Sequence, residues 1–297
     1  MSSPARWLLR SLGGLAGGLV LFGVGVWGLG GWLAQPARAR VGAPPAGIGA
    51  SEISLRSAAG AQLVGWAAPG TCGCGTVVLL HGVRGNRLGV VDRIRLFHEA
   101  GFATVAVDLQ AHGESTGEHI AYGARERYDA QTAVAYARTA FPGQPVAVVG
   151  VSLGGAAALL AEPDLGADAL VLEAVYSDIE AATRNRLRLY GGRPAALLTP
   201  LLLQQLPLRI GVQPRDLRPV EAIRKVRVPL LIVAGTHDEH TTADETRRLY
   251  AAAPAPKTIW WVEQARYVDF LSYDPAGYRR HVLRFVTAQL ASRSSVR

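Results

Sequence analysis

Six short, continuous apolar runs limit what this chain can fold into: "TVVLL" (76–80), "FATVAVD" (102–108), "PVAVVGV" (145–151), "ALVLEAV" (169–175), "PLLIVAG" (229–235) and "TIWWVE" (258–263). They are apolar at odd and even positions alike, so strands built from them must be covered on both faces. Stretches with helical patterning lie between them, near 88–100, near 123–140, from Ser152, and after about Pro275. Doubly buried strands alternating with helices give an α/β architecture: a mostly parallel sheet with helices on both sides. Upstream, "SEISLRS" and "AQLVGWAA" flank Ala59-Gly60 and read as an antiparallel hairpin. The alternation stops between Tyr176 and about Val220, where "RPAALLTPLLLQQLPLRIG" is apolar, broken by prolines and helical in character. That stretch, about 176–220, reads as a cap inserted over the sheet, one wall of a substrate pocket.

Residues 1–34 stand outside this pattern. Ser11–Ala34 runs for 24 residues without a charge, enough to cross a bilayer as one helix. Trp7, Trp27 and Trp32 suit interfacial anchoring, and the glycines are tolerated in membrane helices. A cleaved signal peptide is the alternative: "ARA" at 37–39 has small-x-small spacing, although the apolar region is long for that purpose. Arg6 and Arg10 precede the span, and Arg38 and Arg40 follow it. The balance leans slightly toward a cytoplasmic N-terminus, which puts the remaining chain on the extracytoplasmic side. The organisation read from the sequence is an anchor or signal at 1–34, a Pro/Gly/Ala-rich linker at 35–50, and a domain at 51–297 that carries the cap.

The formal charge of +8 comes almost entirely from arginine. There is no lysine-rich run and no basic patch interleaved with aromatics, so no nucleic-acid partner is expected. A weak pull toward anionic lipid is compatible with the charge. Cys72 and Cys74 flank a single glycine, a spacing too tight for an easy disulfide. No ligand cluster accompanies them, so no metal site is expected.

The chemistry-bearing residues begin with Gly150-Val151-Ser152-Leu153-Gly154, a G-x-S-x-G match between a strand and a helix. A nucleophile elbow needs glycines on both sides because the turn is strained and backbones approach closely. Ser152 then stands at a helix N-terminus, where developing negative charge is favoured. The plainer alternative makes Ser152 a helix N-cap. Strand 76–80 ends in His81-Gly82 and opens a glycine-containing loop. An oxyanion hole needs two converging N–H donors, for which Leu153 and Val83 are the candidates. His81 reads as orienting this loop rather than as a base. Asp238, after the strand at 229–235, is placed to orient an imidazole. Thr241 or Thr242 is the candidate cap of the following helix, with Glu245 three residues beyond Thr242.

In this order, "HGVRGN" (81–86), "DLQAHGES" (108–115), "GVSLGG" (150–155) and "DLRPVEAIRKVRVPLLIVAGTHDEHT" (216–241) resemble the α/β-hydrolase superfamily, in its serine-hydrolase branch of S33 aminopeptidase-like and Bem46-like proteins. The resemblance spans about residues 52–290, with Gln110 and Ala111 departing from the common residues. It implies the α/β-hydrolase fold and hydrolysis of an ester, thioester or amide through an acyl-enzyme on Ser152, with no cofactor and no metal. It also implies a histidine in a G-x-x-H pattern after the last strand. Here that slot holds Tyr267, and Gln264 stands in place of the glycine. With a reference pKa of about 10, a tyrosine is only about one part in a thousand phenolate at pH 7. Among the seven histidines, His237 and His240 flank Asp238, and His112 lies on the same edge. His240 is the candidate substitute base. The expected function is a membrane-anchored serine hydrolase acting on a small acyl ester, lipid or peptide, weakened at position 267. The alternative is an inactive hydrolase-fold protein with a binding or scaffolding role.

Overall fold

The computed structural model describes residues 3–294, and side chains from Ser11 to Arg293, so the side chains of Arg6, Trp7 and Arg10 lie outside the described residues. The chain opens with a long helix α1 (Ser3–Ala34) and a two-residue strand β1 (Ala37–Arg38). The hairpin follows as β2 (Ser51–Arg56) and β3 (Gln62–Ala68). Then come β4 (Thr76–Leu80), α2 (Val91–Glu99), β5 (Ala103–Val107), the short β6 (His112–Gly113), α3 (Glu126–Ala140), β7 (Val146–Val151), α4 (Leu153–Leu160) and β8 (Ala169–Glu173). The cap is built from α5 (Ile179–Ala196), α6 (Thr199–Leu203) and α7 (Leu206–Ile210), with α8 (Pro219–Ala222) leading back to the sheet. The chain closes with β9 (Leu230–Gly235), α9 (Ala243–Ala252), β10 (Lys257–Val262), α10 (Phe270–Tyr273), α11 (Pro275–Tyr278) and α12 (Arg284–Ser294).

Eight strands form the main sheet in the order β10-β9-β8-β7-β4-β5-β3-β2. β4, β5 and β7–β10 are parallel, and the hairpin adds two antiparallel strands at one edge. Every residue of β4, β5, β8 and β9 is buried, which is why their sequences show no alternation. One core packs α3, α4 and α9 on one face, and a second packs α2 and α10–α12 on the other. From β4 the chain moves outward to β5 and returns to β7 on the opposite side, with Leu80 in register with Gly150. The β4/β7 boundary is therefore the switch point of the sheet. The loops after these strands diverge there and leave a crevice at the carboxyl edge.

Residues 35–50, read as a linker, lie along the domain. Ala37 N–H donates to Ala111 O at 2.7 Å and Ala39 N–H to Gly113 O at 2.9 Å, and Ile48 is buried. The expectation about the cysteines needs correction. Cys72 and Cys74 are joined as a disulfide, because Gly73 takes φ +63° and folds the chain until the two Cα atoms are 5.2 Å apart. Such a separation is ordinary for a disulfide.

The apolar part of α1, Ser11–Ala34, has a mean hydropathy of 1.8 and is long enough to span a membrane. Its side chains are exposed from Ser11 to Gly25, whereas Val26 and Ala34 are buried. The last turns rest on the cap. Gln205 Nε2 donates to Val26 O at 3.0 Å, and Arg209 donates to Trp27 O and lies 3.9 Å from the centre of the Trp27 ring.

Candidate active site

Ser152 sits between β7 and α4 with φ +48° and ψ −107°, a conformation that L-residues rarely adopt, and its N–H donates to Glu173 O at 2.7 Å. The turn is as tight as the motif requires. A Cβ on Gly154 would collide with Leu80 O, and one on Gly150 would stand 2.5 Å from Gly155 Cα. Glycine is thus demanded by close backbone approach. Ser152 is buried with its backbone at the first turn of α4. Among the described residues, Ser152 Oγ makes no hydrogen bond, and its side chain caps nothing.

Gly82 lies against the elbow. A Cβ built on it would be 3.6 Å from Ser152 Cβ and 3.9 Å from Tyr267 Oη. The phenol of Tyr267 therefore points to the place where an imidazole is expected. Val83 follows Gly82, and among the described residues neither Val83 N–H nor Leu153 N–H donates to an acceptor. His81 holds this loop: its Nδ1–H donates to Gly82 O at 2.8 Å, and its Nε2 accepts Leu109 N–H at 3.0 Å. Burial lowers its pKa to about 4, so the ring is neutral. His112 is also buried and neutral, its pKa lowered to about 4 by burial and by His81, and its Nδ1–H donates to Gln110 O at 2.8 Å. Both histidines are fixed by backbone groups, and neither bonds to Ser152 among the described residues.

The "DLQAHGES" segment owes its pattern to its own folding. Asp108 accepts Arg87 N–H at 2.7 Å and Glu114 N–H at 2.9 Å and pairs with the Arg87 guanidinium. Ser115 donates to Asp108 O at 2.6 Å and accepts Val64 N–H at 2.9 Å. Together these bonds pin the loop between β5 and the hairpin.

Asp238 is buried at the carboxyl end of β9. Its Oδ1 accepts His240 N–H at 2.7 Å and Thr241 N–H at 3.0 Å, and its Oδ2 accepts the Thr241 hydroxyl at 2.5 Å. No imidazole nitrogen bonds to it among the described residues. Thr241, one of the two cap candidates in the sequence, instead gives its hydroxyl to Asp238, three residues earlier, the spacing of a turn in which a carboxylate meets the donors just downstream. The expected cap is present: Glu245 accepts Thr242 N–H at 3.0 Å.

His240 packs against Tyr267, ring centroids 4.6 Å apart, and against Tyr190 at 5.9 Å. Its Nδ1 is buried without a partner. Burial, then Arg186, hold its pKa below the ordinary imidazole value, against the pull of Asp238 and Glu239. His237 sits at the surface with Nδ1 3.2 Å from Thr236 Oγ1. A further set of residues was missed by sequence reasoning. Arg93, buried on α2, pairs with Glu173 at 2.6 Å and with Asp269, and Tyr278 Oη donates to Glu173 at 2.5 Å. This network borders a cavity of about 220 Å³ beside the elbow that is also lined by Val151 and Tyr267. A second cavity of about 390 Å³ lies within the cap, between Glu180, Thr199, Leu203 and Pro207.

Comparison with known proteins agrees with this geometry. Residues 72–216 match the serine aminopeptidase (S33) family. The chain is 26% identical over 215 residues to the uncharacterized protein YqkD of Bacillus subtilis, covering 71% of this chain and 70% of that protein. It is 28% identical over 186 residues to human protein ABHD12B, covering 60% of this chain and 49% of ABHD12B, so it spans about half of that relative. Among solved structures, the Pyrococcus furiosus esterase Pf2001 superposes with a TM-score of 0.71 at 18% identity, over 86% of this chain and 99% of the esterase. The α/β hydrolase GrgF from Penicillium superposes with a TM-score of 0.65 at 17% identity, over 82% of this chain and 99% of GrgF. An elbow serine at the switch point of the sheet and these likenesses agree on the fold: the chain has the α/β-hydrolase fold, and its residues 72–216 resemble the S33 serine aminopeptidase family.

Proposed function

We propose that this protein is a membrane-anchored serine hydrolase that cleaves an ester, thioester or amide through an acyl-enzyme on Ser152, at a rate limited by Tyr267. The observation that carries the reading is the strained backbone of Ser152 at φ +48°, with two acceptor-free N–H groups, Val83 and Leu153, beside it among the described residues. Such a turn costs about 1–3 kcal/mol and persists where the surrounding structure enforces it. In the proposed reaction Ser152 Oγ attacks the acyl carbon, the leaving group departs with a proton, and water releases the acid from Ser152. The two N–H groups stabilise the oxyanion in both steps. His240, neutral at pH 7, is the base closest to the slot and acts beside Tyr267. Donors aimed at the oxyanion sustain about 10³–10⁴-fold catalysis over water even in a triad lacking a member.

The contacts of residues 34–38 with the domain favour the anchored form over cleavage. Cleavage after Ala39 would remove β1 altogether, together with Ala34 O, which accepts Ile120 N–H at 3.0 Å.

A second reading, a hydrolase fold that binds without turnover, is favoured by one observation: no hydrogen bond joins the side chains of Asp238, His240 and Ser152 to one another among the described residues. Fluorophosphonate labelling of the full-length chain, with hydrolysis of short acyl esters, separates the two. Slow labelling that disappears in Ser152→Ala is the expected result. No labelling and no Ser152-dependent turnover would overturn the hydrolase reading and leave the binding one.

A further inference from the structure

The charge-free part of α1 that precedes its seat on the cap is shorter than a membrane core. Between Arg10 and the buried Val26 lie only Ser11–Gly25, 15 residues without a charge, about 22 Å of helix at about 1.5 Å per residue. A hydrocarbon core of about 30 Å needs about 20 residues. The missing turns are those from Val26 onward, and these already touch the cap through Gln205 and Arg209. If α1 crosses a bilayer, the cap beside Val26–Gly31 is carried down to lipid depth.

The surface of the cap fits that position. Backbone angles stay in the right-handed helical region at Leu197, Leu198, Gln204 and Gln205, so Leu197–Ile210 runs as a loosened helical rod. Leu197, Leu201, Gln205 and Leu208 fall at helical spacings of four, four and three, which places them on one stripe. Gln205 is buried against α1. The leucines on either side of it are not covered: Leu197 is 78% exposed, Leu201 42% and Leu208 77%. Exposed leucines along a helix that abuts a membrane-length apolar helix form one continuous apolar surface with it. The charge is suitable as well. The cap from 176 to 220 holds seven arginines against Asp178, Glu180 and Asp216, an excess that favours an anionic lipid surface. The same end of α1 reaches the active edge, where the Arg84 guanidinium in the oxyanion loop lies 5.2 Å from the Trp32 ring centre.

We propose that the cap dips into the leaflet, with Leu197, Leu201 and Leu208 in contact with lipid, so that the Ser152 edge faces the membrane and draws an acyl ester from the bilayer. This rests on the anchored-hydrolase reading above. The occupant is the lipid leaflet itself, because the stripe is continuous with the helix that would span it.

Spin labelling of the full-length chain tests this. With Cys72 and Cys74 replaced by serine, single cysteines at Val20, Leu208 and Arg227 carry a nitroxide in vesicles of phosphatidylcholine with phosphatidylglycerol. Arg227 is exposed just before β9, at the amino edge of the sheet. Collision with oxygen relative to a water-soluble nickel chelate reports depth. The expected result is an oxygen-dominated signal at 20 and at 208, by about tenfold over the water-dominated signal at 227. An oxygen signal at 20 with a nickel signal at 208 overturns the dipped cap and leaves the anchor standing. Shielding of 208 from both reagents also overturns it, by showing a protein surface in place of lipid. A nickel signal at 20 removes the anchor and this proposal together.

Discussion

The His240 and Tyr267 rings lie face against face, 4.6 Å between centroids and tilted by 33°, so the candidate substitute base is packed on the residue that occupies the expected base position. Asp238, two residues before His240, gives its second carboxylate oxygen to the Thr241 hydroxyl. A hydroxyl has taken the acceptor that a ring N–H would use. The candidate acid and nucleophile, Asp238 and Ser152, thus stand beyond the carboxyl ends of β9 and β7, and the slot expected to hold a histidine between them holds Tyr267.

This yields a repair experiment. Tyr267→His puts an imidazole where the phenol meets Gly82 and Ser152, and Thr241→Val releases the outer oxygen of Asp238. A positioned general base is worth about 10²–10⁴-fold. The double variant should label with fluorophosphonate about 10²-fold faster than the native chain, and Tyr267→His alone should gain less. Equal rates in all three proteins would show that the slot does not limit Ser152.

The residual rate has its own pH signature. Burial, then Arg186, lower the pKa of His240, so its neutral, proton-accepting form predominates from below pH 6.5 upward. Labelling of the native chain should rise with pH through a midpoint below 6.5 and be level by pH 7, and His240→Ala should lower that plateau. A rate still climbing above pH 9 would assign the base to a phenolate, given the reference value of about 10 for tyrosine.

Strain at the elbow predicts a gain in stability from the loss of function. Ser152 holds φ +48°, a value that glycine adopts readily. Ser152→Gly should raise unfolding stability by about 1 kcal/mol, measured by denaturant melts in detergent, while abolishing labelling. A destabilised Ser152→Gly would show that the turn is relaxed.

The elbow was legible in the sequence because its signature is local: Gly150, Ser152 and Gly154 lie within five residues, even though the backbone that demands Gly154 is that of Leu80 on the neighbouring strand. The doubly buried strands were legible for the same reason, each announcing its burial by its own lack of alternation. The Arg93 network was not. Its members, Arg93, Glu173, Asp269 and Tyr278, come from four separate parts of the chain and meet only when the sheet is assembled. Nor was the seat of α1 on the cap, where Gln205 reaches back 179 residues to Val26. The Pro/Ala/Gly composition of 35–50 suggested a free linker because its packing relies on backbone bonds to Ala111 and Gly113, which leave no mark in side-chain pattern.

That network carries a stability prediction. Arg93 is buried and held firmly charged by Glu173, Tyr278 and Asp269 against the effect of burial. Removing one partner of a buried pair leaves the other uncompensated, at a cost of about 3–5 kcal/mol. Glu173→Ala should therefore lower unfolding stability by about that amount. Tyr278→Phe, which removes one hydrogen bond and keeps the ring, should cost about 1–3 kcal/mol, toward the upper part for a charged acceptor. Similar melts for the two variants would mean that Glu173 is not a buried partner.

Asp129 gives the domain a pH-dependent stability of definite sign. It lies buried on α3 and accepts Gln110 N–H at 2.7 Å, beneath the "DLQAHGES" loop. Burial pushes its pKa up from 3.8 to about 7, with Glu126 adding to the rise and hydrogen bonds from Ser57 and Gln110 opposing it. In the folded chain the carboxyl thus stays protonated between the two values, whereas the unfolded chain ionises near the lower one. Proton binding then favours the folded state at low pH, and that advantage is lost as pH rises through about 7. An asparagine side chain at this position would keep an acceptor for Gln110 N–H and carry no charge to bury. Asp129→Asn should therefore match the native protein at or below about pH 3.8 and exceed it in melting temperature at pH 8. The reverse order, with the variant weaker at pH 8, would show that Asp129 is ionised in the folded state and stabilised by its donors.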